Sequence, residues 1–96
     1  MVTLDDYIVI NAEATEYITN YEEEDEVVNA FVNREEITNA LLRGEALTPE
    51  QQAQLDAADA RLRAALPVLV ARFPTLFADR SGIPTMYWWW HPGLGQ

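Results

Sequence analysis

The stretch Thr48-Pro49-Glu50-Gln51 constrains the fold of this chain more than any other. Threonine is a preferred helix N-cap, and proline suits the first helical position because the amide hydrogen that it lacks would have no partner there. Gln51, three residues after the threonine, completes a capping box. The residues that follow are mostly alanine, glutamine, leucine and arginine, which are good helix formers. A long helix is therefore predicted to begin at Pro49.

Apolar residues recur along this predicted helix at the spacing of one helical face. Pro67 lies inside the pattern, and we expect the helix to kink or restart there, because proline removes a backbone donor and clashes with the preceding turn. Pro74 should end the helix. The predicted core positions are Leu55, Ala58, Leu62, Leu66, Leu69, Phe73 and Leu76.

An earlier helix is predicted near the N-terminus. Thr3 can cap a helix that begins at Leu4, with Asp5 and Asp6 in its first turn, where the helix dipole favours acids. Residues 7–10 are rich in β-branched side chains and could instead form a strand, but the wider spacing favours a helix. The apolar positions of this helix are Leu4, Tyr7, Ile8, Ala14, Tyr17, Ile18 and Tyr21.

Between these two helices, the apolar residues of the segment 23–43 have helical spacing, and two helix assignments fit it. Asn33 and Glu36 are spaced like a capping box, which predicts two short helices over about 23–32 and 34–43. The alternative is one helix with a flaw. Gly44 after Arg43 is typical of a helix C-terminus in either case. The apolar positions are Val27, Val28, Phe31 and Val32.

These patterns predict a mainly α-helical fold, a small bundle of three or four helices in a single domain over residues 1–96. The chain of 96 residues is long enough for one modest core. Residues 79–96 are predicted to form an extended aromatic tail that packs on the bundle.

The charge of the chain is very unevenly distributed. Residues 1–59 contain fifteen acidic residues and two arginines, a net charge of −13, whereas residues 60–96 contain one acidic residue and four arginines, a net charge of +3. Lysine is absent, and direct nucleic-acid binding is disfavoured because phosphate backbones repel such a chain. Either the two halves face each other, within the fold or across a dimer, or the acidic half binds a basic partner.

The most acidic stretch, residues 22–26, resembles neither a calcium loop nor a magnesium site. Calcium loops place acids at alternate positions and need a glycine to bend the backbone around the ion, and this stretch has neither. We expect a solvated first helical turn that forms an acidic surface. Its members are Glu22, Glu23, Glu24, Asp25 and Glu26.

Few side chains could carry catalysis. The chain has no cysteine or lysine, one serine, Ser81, and one histidine, His91. The residues around Ser81 do not form a nucleophile elbow, and no HExxH motif or glycine-rich phosphate loop is present. We expect a protein that is not an enzyme and that uses no metal or cofactor.

The sequence also predicts a soluble, cytoplasmic protein with no membrane association. Asp5 and Asp6 stand where a secretory signal would carry positive charge. The longest uncharged apolar run near the middle, residues 64–71, is far shorter than the about 20 residues that a membrane span needs.

The aromatic tail contains the candidate partner-binding residues Tyr87, Trp88, Trp89, Trp90 and His91. Alternate side chains of an extended segment point in opposite directions, which would place residues 87 and 89 on one face and residues 88 and 90 on the other. One face should pack on the helices. The other should form a contact surface, because tryptophan is enriched at interface hot spots.

The favoured functional hypothesis is a non-enzymatic, acidic protein-interaction module that inhibits or adapts a protein partner, which is either a basic protein or a second copy in a homodimer. The alternative is an acidic mimic of nucleic acid that occupies a DNA- or RNA-binding protein. A second alternative is a binder of a ring-bearing small molecule or pigment that uses the tail tryptophans.

Overall fold

The computed structural model of the protein describes residues 2–92 and contains three helices and no strand over that range. The helices are α1 (Leu4–Tyr17), α2 (Glu24–Leu42) and α3 (Pro49–Arg72). Short 3-10 helical turns follow at Ile18–Asn20, Pro74–Phe77 and Trp88–Trp90. The predicted small, mainly α-helical bundle is confirmed, with three helices in an envelope of 35 × 27 × 27 Å.

Helix α1 begins where the sequence predicts. The Thr3 hydroxyl accepts a hydrogen bond from the Asp6 amide at 3.3 Å, and the Asp6 carboxylate accepts one from the Thr3 amide at 2.9 Å. This capping box satisfies backbone donors that the first helical turn leaves without partners. Residues 7–10 are helical, so the strand alternative is wrong. Packing of Ile8 in the core outweighs the modest β-propensity of the run.

Helix α2 is continuous from Glu24 to Leu42, so the interpretation as two short helices is wrong. The capping box forms at its start, where Glu26 accepts from the Glu23 amide at 3.3 Å. Asn33 lies in the helix interior instead of capping a second helix. Gly44 has a φ of +96°, a backbone conformation that glycine adopts without the strain of a Cβ, and it ends α2 as predicted.

Helix α3 has the predicted capping box at its start. The Thr48 hydroxyl accepts from the Gln51 amide at 3.1 Å, and the Gln51 side chain accepts from the Thr48 amide at 3.0 Å. The helix continues through Pro67, where a restart was one expectation, and ends at Arg72 before Pro74. Pro67 is exposed, and buried residues on both sides of it hold the helix together.

The core lies between α3 and the other two helices. All seven predicted core positions of α3 and the turn that follows it are buried, which confirms that part of the pattern. The main cluster also contains Ile18, Val27, Phe31, Trp89 and Trp90. A smaller cluster of Ile8, Ile37 and Leu55 lies apart from it.

Candidate functional site

The aromatic residues near the C-terminal end form a 3-10 helical turn over Trp88–Trp90, and the extended backbone predicted for them is wrong. Amide hydrogen bonds close the turn, from Trp90 to the Tyr87 carbonyl and from His91 to the Trp88 carbonyl, each 3.0 Å long. A turn does not alternate its side chains between two faces as a strand does. Trp89 and Trp90 are both buried, with exposures of 0% and 7%, and the predicted division by parity fails. Residues 93–96 of the predicted tail lie outside the described residues.

Specific contacts fix this turn on α2. The Trp90 and Phe31 rings meet edge to face with centroids 4.8 Å apart. The Trp90 indole nitrogen donates to the Glu35 carboxylate at 3.1 Å. Burial raises the pKa of Glu35; the Trp90 hydrogen bond opposes this shift and neighbouring Glu36 adds to it.

Each of the three tryptophans has an arginine over its ring. The guanidinium carbon lies 4.2 Å from the ring centroid for Arg63 over Trp88, 4.8 Å for Arg34 over Trp89 and 5.0 Å for Arg80 over Trp90. These distances are within the range of cation–π attraction. The chain therefore uses arginine–aromatic contacts to hold its own fold.

The candidate partner-binding residues divide by burial. Tyr87, Trp88 and His91 are partly exposed, so a partner could touch them without unfolding the turn, whereas Trp89 and Trp90 belong to the core. His91 contacts the Ile83 carbonyl through Nε2 at 2.9 Å. Partner binding by these five residues stays a prediction.

The structure does not bring Ser81 and His91 into hydrogen-bond contact. The Ser81 hydroxyl donates to the Asp79 carboxylate at 3.0 Å, and His91 has the Ile83 carbonyl as its partner. Hydrogen bonds from the Ser81 amide and hydroxyl lower the pKa of Asp79, which keeps the carboxylate in its charged, accepting form.

The two halves of the chain face each other in the fold, as one of the expectations has it, but no ion pair joins them within residues 2–92. The ion pairs there join Arg34 to Asp59 at 2.9 Å and Arg43 to Glu45 at 3.1 Å, and all four residues belong to the acidic half. Pairing between halves across a dimer stays a prediction.

The arginines of the second half have other partners. Arg61 donates to the Ala12 carbonyl at 3.1 Å, and Arg72 donates to the Tyr21 carbonyl at 2.9 Å. Arg63 and Arg80 lie on the tryptophan rings. These four arginines keep their charge, but within residues 2–92 they contact neutral oxygens and aromatic rings and form no ion pair with the carboxylates of the acidic half.

A groove of about 310 Å³ lies between α1 and α2 on the acidic half of the molecule. Each helix contributes four residues at positions i, i+3, i+4 and i+7, which share one helical face. The connection between the helices contributes one more residue, so one end of the groove adjoins it. From α1 come Ile10, Glu13, Ala14 and Tyr17, from the connection Tyr21, and from α2 Glu26, Asn29, Ala30 and Asn33.

The lining of this groove combines aromatic rings, carboxylates and amides with no basic side chain. Tyr17 is 58% exposed, whereas Tyr21 packs against the core and is half-buried. Burial and the nearby charge of Glu26, in that order, raise the pKa of Tyr21.

The predicted acidic surface continues from the groove. Residues 22–26 are all exposed, and Glu26 belongs both to this surface and to the groove lining. Glu24 accepts a hydrogen bond from the Thr75 hydroxyl at 3.0 Å, which ties the start of α2 to the turn after α3. We define the acidic face as the groove together with residues 22–26.

The sequence pattern does not predict this groove, because helical spacing places Tyr17 on the core face of α1, whereas its side chain is 58% exposed. One available signal was the set Glu26, Asn29 and Asn33, since polar residues at helical spacing beside Ala30 indicate a stripe that is not fully packed. Pairing that stripe with residues 10–17 of α1 requires the tertiary structure.

The fold and the groove define the class of this protein as a small three-helix bundle with an acidic face. No protein-family model, curated protein or solved structure matches the chain. No group of three or more histidine and carboxylate side chains is arranged to hold a metal within residues 2–92. Over the same residues, every helix is too short or too polar to span a membrane.

Proposed function

We propose that the protein is a non-enzymatic interaction module that binds a basic protein partner through its acidic face. The observation that carries this proposal is that few of the acidic residues form ion pairs with the arginines of the chain. Within residues 2–92, the ion pairs involve only Asp59 and Glu45 among the acidic residues, so none of the described basic side chains forms an ion pair with the acidic face.

Exposed like charges on one face repel each other, and a partner of opposite charge relieves that repulsion. Such a surface also accelerates the encounter with a basic partner and rejects acidic ones. The Glu13 and Glu26 carboxylates border a groove that contains aromatic rings, which gives the face a place for close contact as well as long-range attraction.

Mimicry of nucleic acid is a special case of the same proposal, because a DNA- or RNA-binding protein presents a basic surface. The unpaired, exposed carboxylates of residues 22–26 favour keeping it as the second candidate. A second copy of this chain fits less well, because each arginine within the described part already contacts a carboxylate, a backbone or hydroxyl oxygen, or a ring.

A ring-bearing ligand at the tail fits less well too. On Trp89 or Trp90 it would have to displace Arg34 or Phe31, and on the partly exposed Trp88 it would compete with Arg63. Phe31, Trp89 and Trp90 belong to the main core cluster, and Arg34 is buried beside it.

Affinity capture with the immobilised full chain, followed by mass spectrometry, tests the proposal. The test variant combines Glu22→Gln with Asp25→Asn, and the control combines Glu50→Gln with Asp56→Asn. Both pairs remove two charges, and each includes one acid from the first turn of a helix.

We expect the wild type and the control to capture the same basic proteins and the Glu22/Asp25 variant to lose them. Competition by added nucleic acid would identify the partner as a nucleic-acid-binding protein. Captured proteins that are not basic, or that the Glu22/Asp25 variant retains in full, would contradict the proposal.

A further inference from the structure

We propose that the groove between α1 and α2 is an anchor site for one arginine side chain of the partner. This inference rests on the proposed function, since it names the group that the acidic face receives. The guanidinium would lie at the end of the groove next to the helix connection, between Tyr17 and Tyr21 and within reach of the Glu13 and Glu26 carboxylates.

The size of the groove fits a single long side chain. Positions i to i+7 of a helix span about 10 Å, so both lining stripes are two turns long. The volume of about 310 Å³ is at the lower end of the range of small-molecule sites. A whole helix would need a longer apolar groove, whereas an arginine can lay its methylene stem along Ile10 and Ala14 and extend its charged end toward Tyr21.

The chemistry of the lining selects a cation with a flat face. Tyrosine rings attract cations through their π-electrons, and carboxylates pair with guanidinium groups through two parallel hydrogen bonds. The amide oxygens of Asn29 and Asn33 are further acceptors. Burial is the main cause of the raised pKa of Tyr21, and the charge of Glu26 adds to it, so this carboxylate acts on the phenol.

Arginine fits this lining better than lysine does. A guanidinium is planar, stacks on aromatic rings and is weakly hydrated, whereas an ammonium is a compact and strongly hydrated point charge. The protein itself makes three such contacts between arginines and tryptophan rings, at 4.2 to 5.0 Å. The groove lining has the aromatic and acidic parts of that arrangement without an arginine, since the nearby Arg72 donates to the Tyr21 backbone carbonyl and does not line the groove.

The experiment measures binding of a hexa-arginine peptide and a hexa-lysine peptide to the full chain by NMR titration. Tyr17→Ala and Glu26→Gln are the test variants, and Glu16→Gln is the matched control. Tyr17 is mostly exposed, and glutamine can still accept the capping hydrogen bond of Glu26, so neither substitution should unfold the protein. Glu16 is an exposed acid of α1 that does not line the groove.

We expect the arginine peptide to shift the resonances of Tyr17, Tyr21 and Asn29 and to bind more tightly than the lysine peptide. Each test variant should weaken arginine binding roughly three- to ten-fold, as loss of a cation–π contact or a charged hydrogen bond does, and the control less than about two-fold. If both peptides bind equally and Glu16→Gln weakens binding as much as Glu26→Gln does, the anchor site is overturned. The acidic face would then attract cations without a specific site. Binding of neither peptide, together with failure of the capture experiment, would overturn the proposed function as well.

Discussion

The aromatic turn at Trp88–Trp90 and the groove between α1 and α2 both bring aromatic rings together with charged side chains, but their surroundings differ. In the turn, each ring has an arginine of the same chain over it, and two of the three tryptophans are buried. In the groove, two tyrosines lie beside two carboxylates with no basic side chain in the lining.

This difference separates structural clusters from candidate binding surfaces in this protein. Three adjacent tryptophans are the more conspicuous sequence feature, yet the chain supplies their partners and uses them as core. The groove is less conspicuous because its residues are spread over two helices. Its charge remains without an internal partner, and that is the property expected of a surface that binds another molecule.

The largest effect that tests this comparison comes from exchanging one aromatic residue in each region for alanine. Trp89→Ala should lower the free energy of unfolding by about 3–5 kcal/mol, because it leaves a cavity in the core. Tyr17→Ala should change it by no more than about 0.5 kcal/mol, as exposed positions do. Urea denaturation followed by far-ultraviolet circular dichroism measures both values. Similar losses for the two variants would mean that the groove is as structural as the turn.

A smaller effect is expected at Asn11, on the buried side of α1. Asn11 is 1% exposed, and neither the nitrogen nor the oxygen of its side-chain amide has a hydrogen-bond partner among the described residues. Replacing an unsatisfied amide by an apolar group of the same shape removes a desolvation cost. Asn11→Leu should raise the free energy of unfolding by about 1 kcal/mol in the same urea assay. Asn11→Ala, which adds a cavity, should give no gain, and a loss with leucine would show that the amide is bonded in solution.

Salt should stabilise the protein, because the acidic face is self-repelling and ion pairs are few. Raising sodium chloride from about 0.05 M to 0.5 M should increase the free energy of unfolding by a few tenths to about 1 kcal/mol. Salt should raise the free energy of unfolding less for the combined Glu22→Gln and Asp25→Asn variant. It should raise that of the Glu50→Gln and Asp56→Asn control about as much as that of the wild type. A decrease in stability with salt would instead indicate attraction between the two halves.

The smallest effect concerns Glu35, which holds the indole of Trp90. Its pKa is raised in the folded protein above the ordinary value of 4.5, mainly by burial, so the charged form is disfavoured on folding. The folded state therefore binds the Glu35 proton more tightly than the unfolded state, and stability falls as pH rises from about 4.5 through the raised value.

Glu35→Gln should remove this part of the pH dependence, since the amide oxygen can still accept from the Trp90 indole. Thermal unfolding at pH 4 and pH 7 measures this dependence. The variant should be more stable than the wild type at pH 7 and equally stable at pH 4. Glu36→Gln is the control, because Glu36 makes only the smallest contribution to the shift. A variant that loses stability at both values would show that the charged carboxylate is needed.

Local signals in the sequence determined where α1 and α3 begin, although they left the continuity of α2 open. The capping boxes at Thr3 and Thr48 form because each threonine and the residue three positions later accept hydrogen bonds from each other's backbone amides within one turn. Helical periodicity likewise identified the buried face of α3, since one long helix presents one face to the core. Such interactions span a few residues and are visible in the order of the chain.

Only the tertiary structure decided the role of the tryptophans and the place of the groove. The backbone of residues 88–90 follows contacts with Phe31 and Glu35, more than fifty residues earlier, instead of any local preference for an extended chain. The contacts of the arginines also depend on how the helices pack, as does the presence of Tyr17 and Glu26 in the lining of one groove. Contacts between distant parts of the chain leave no periodicity in the sequence, because each partner can be chosen independently of its neighbours, and packing alone determines which surfaces remain open.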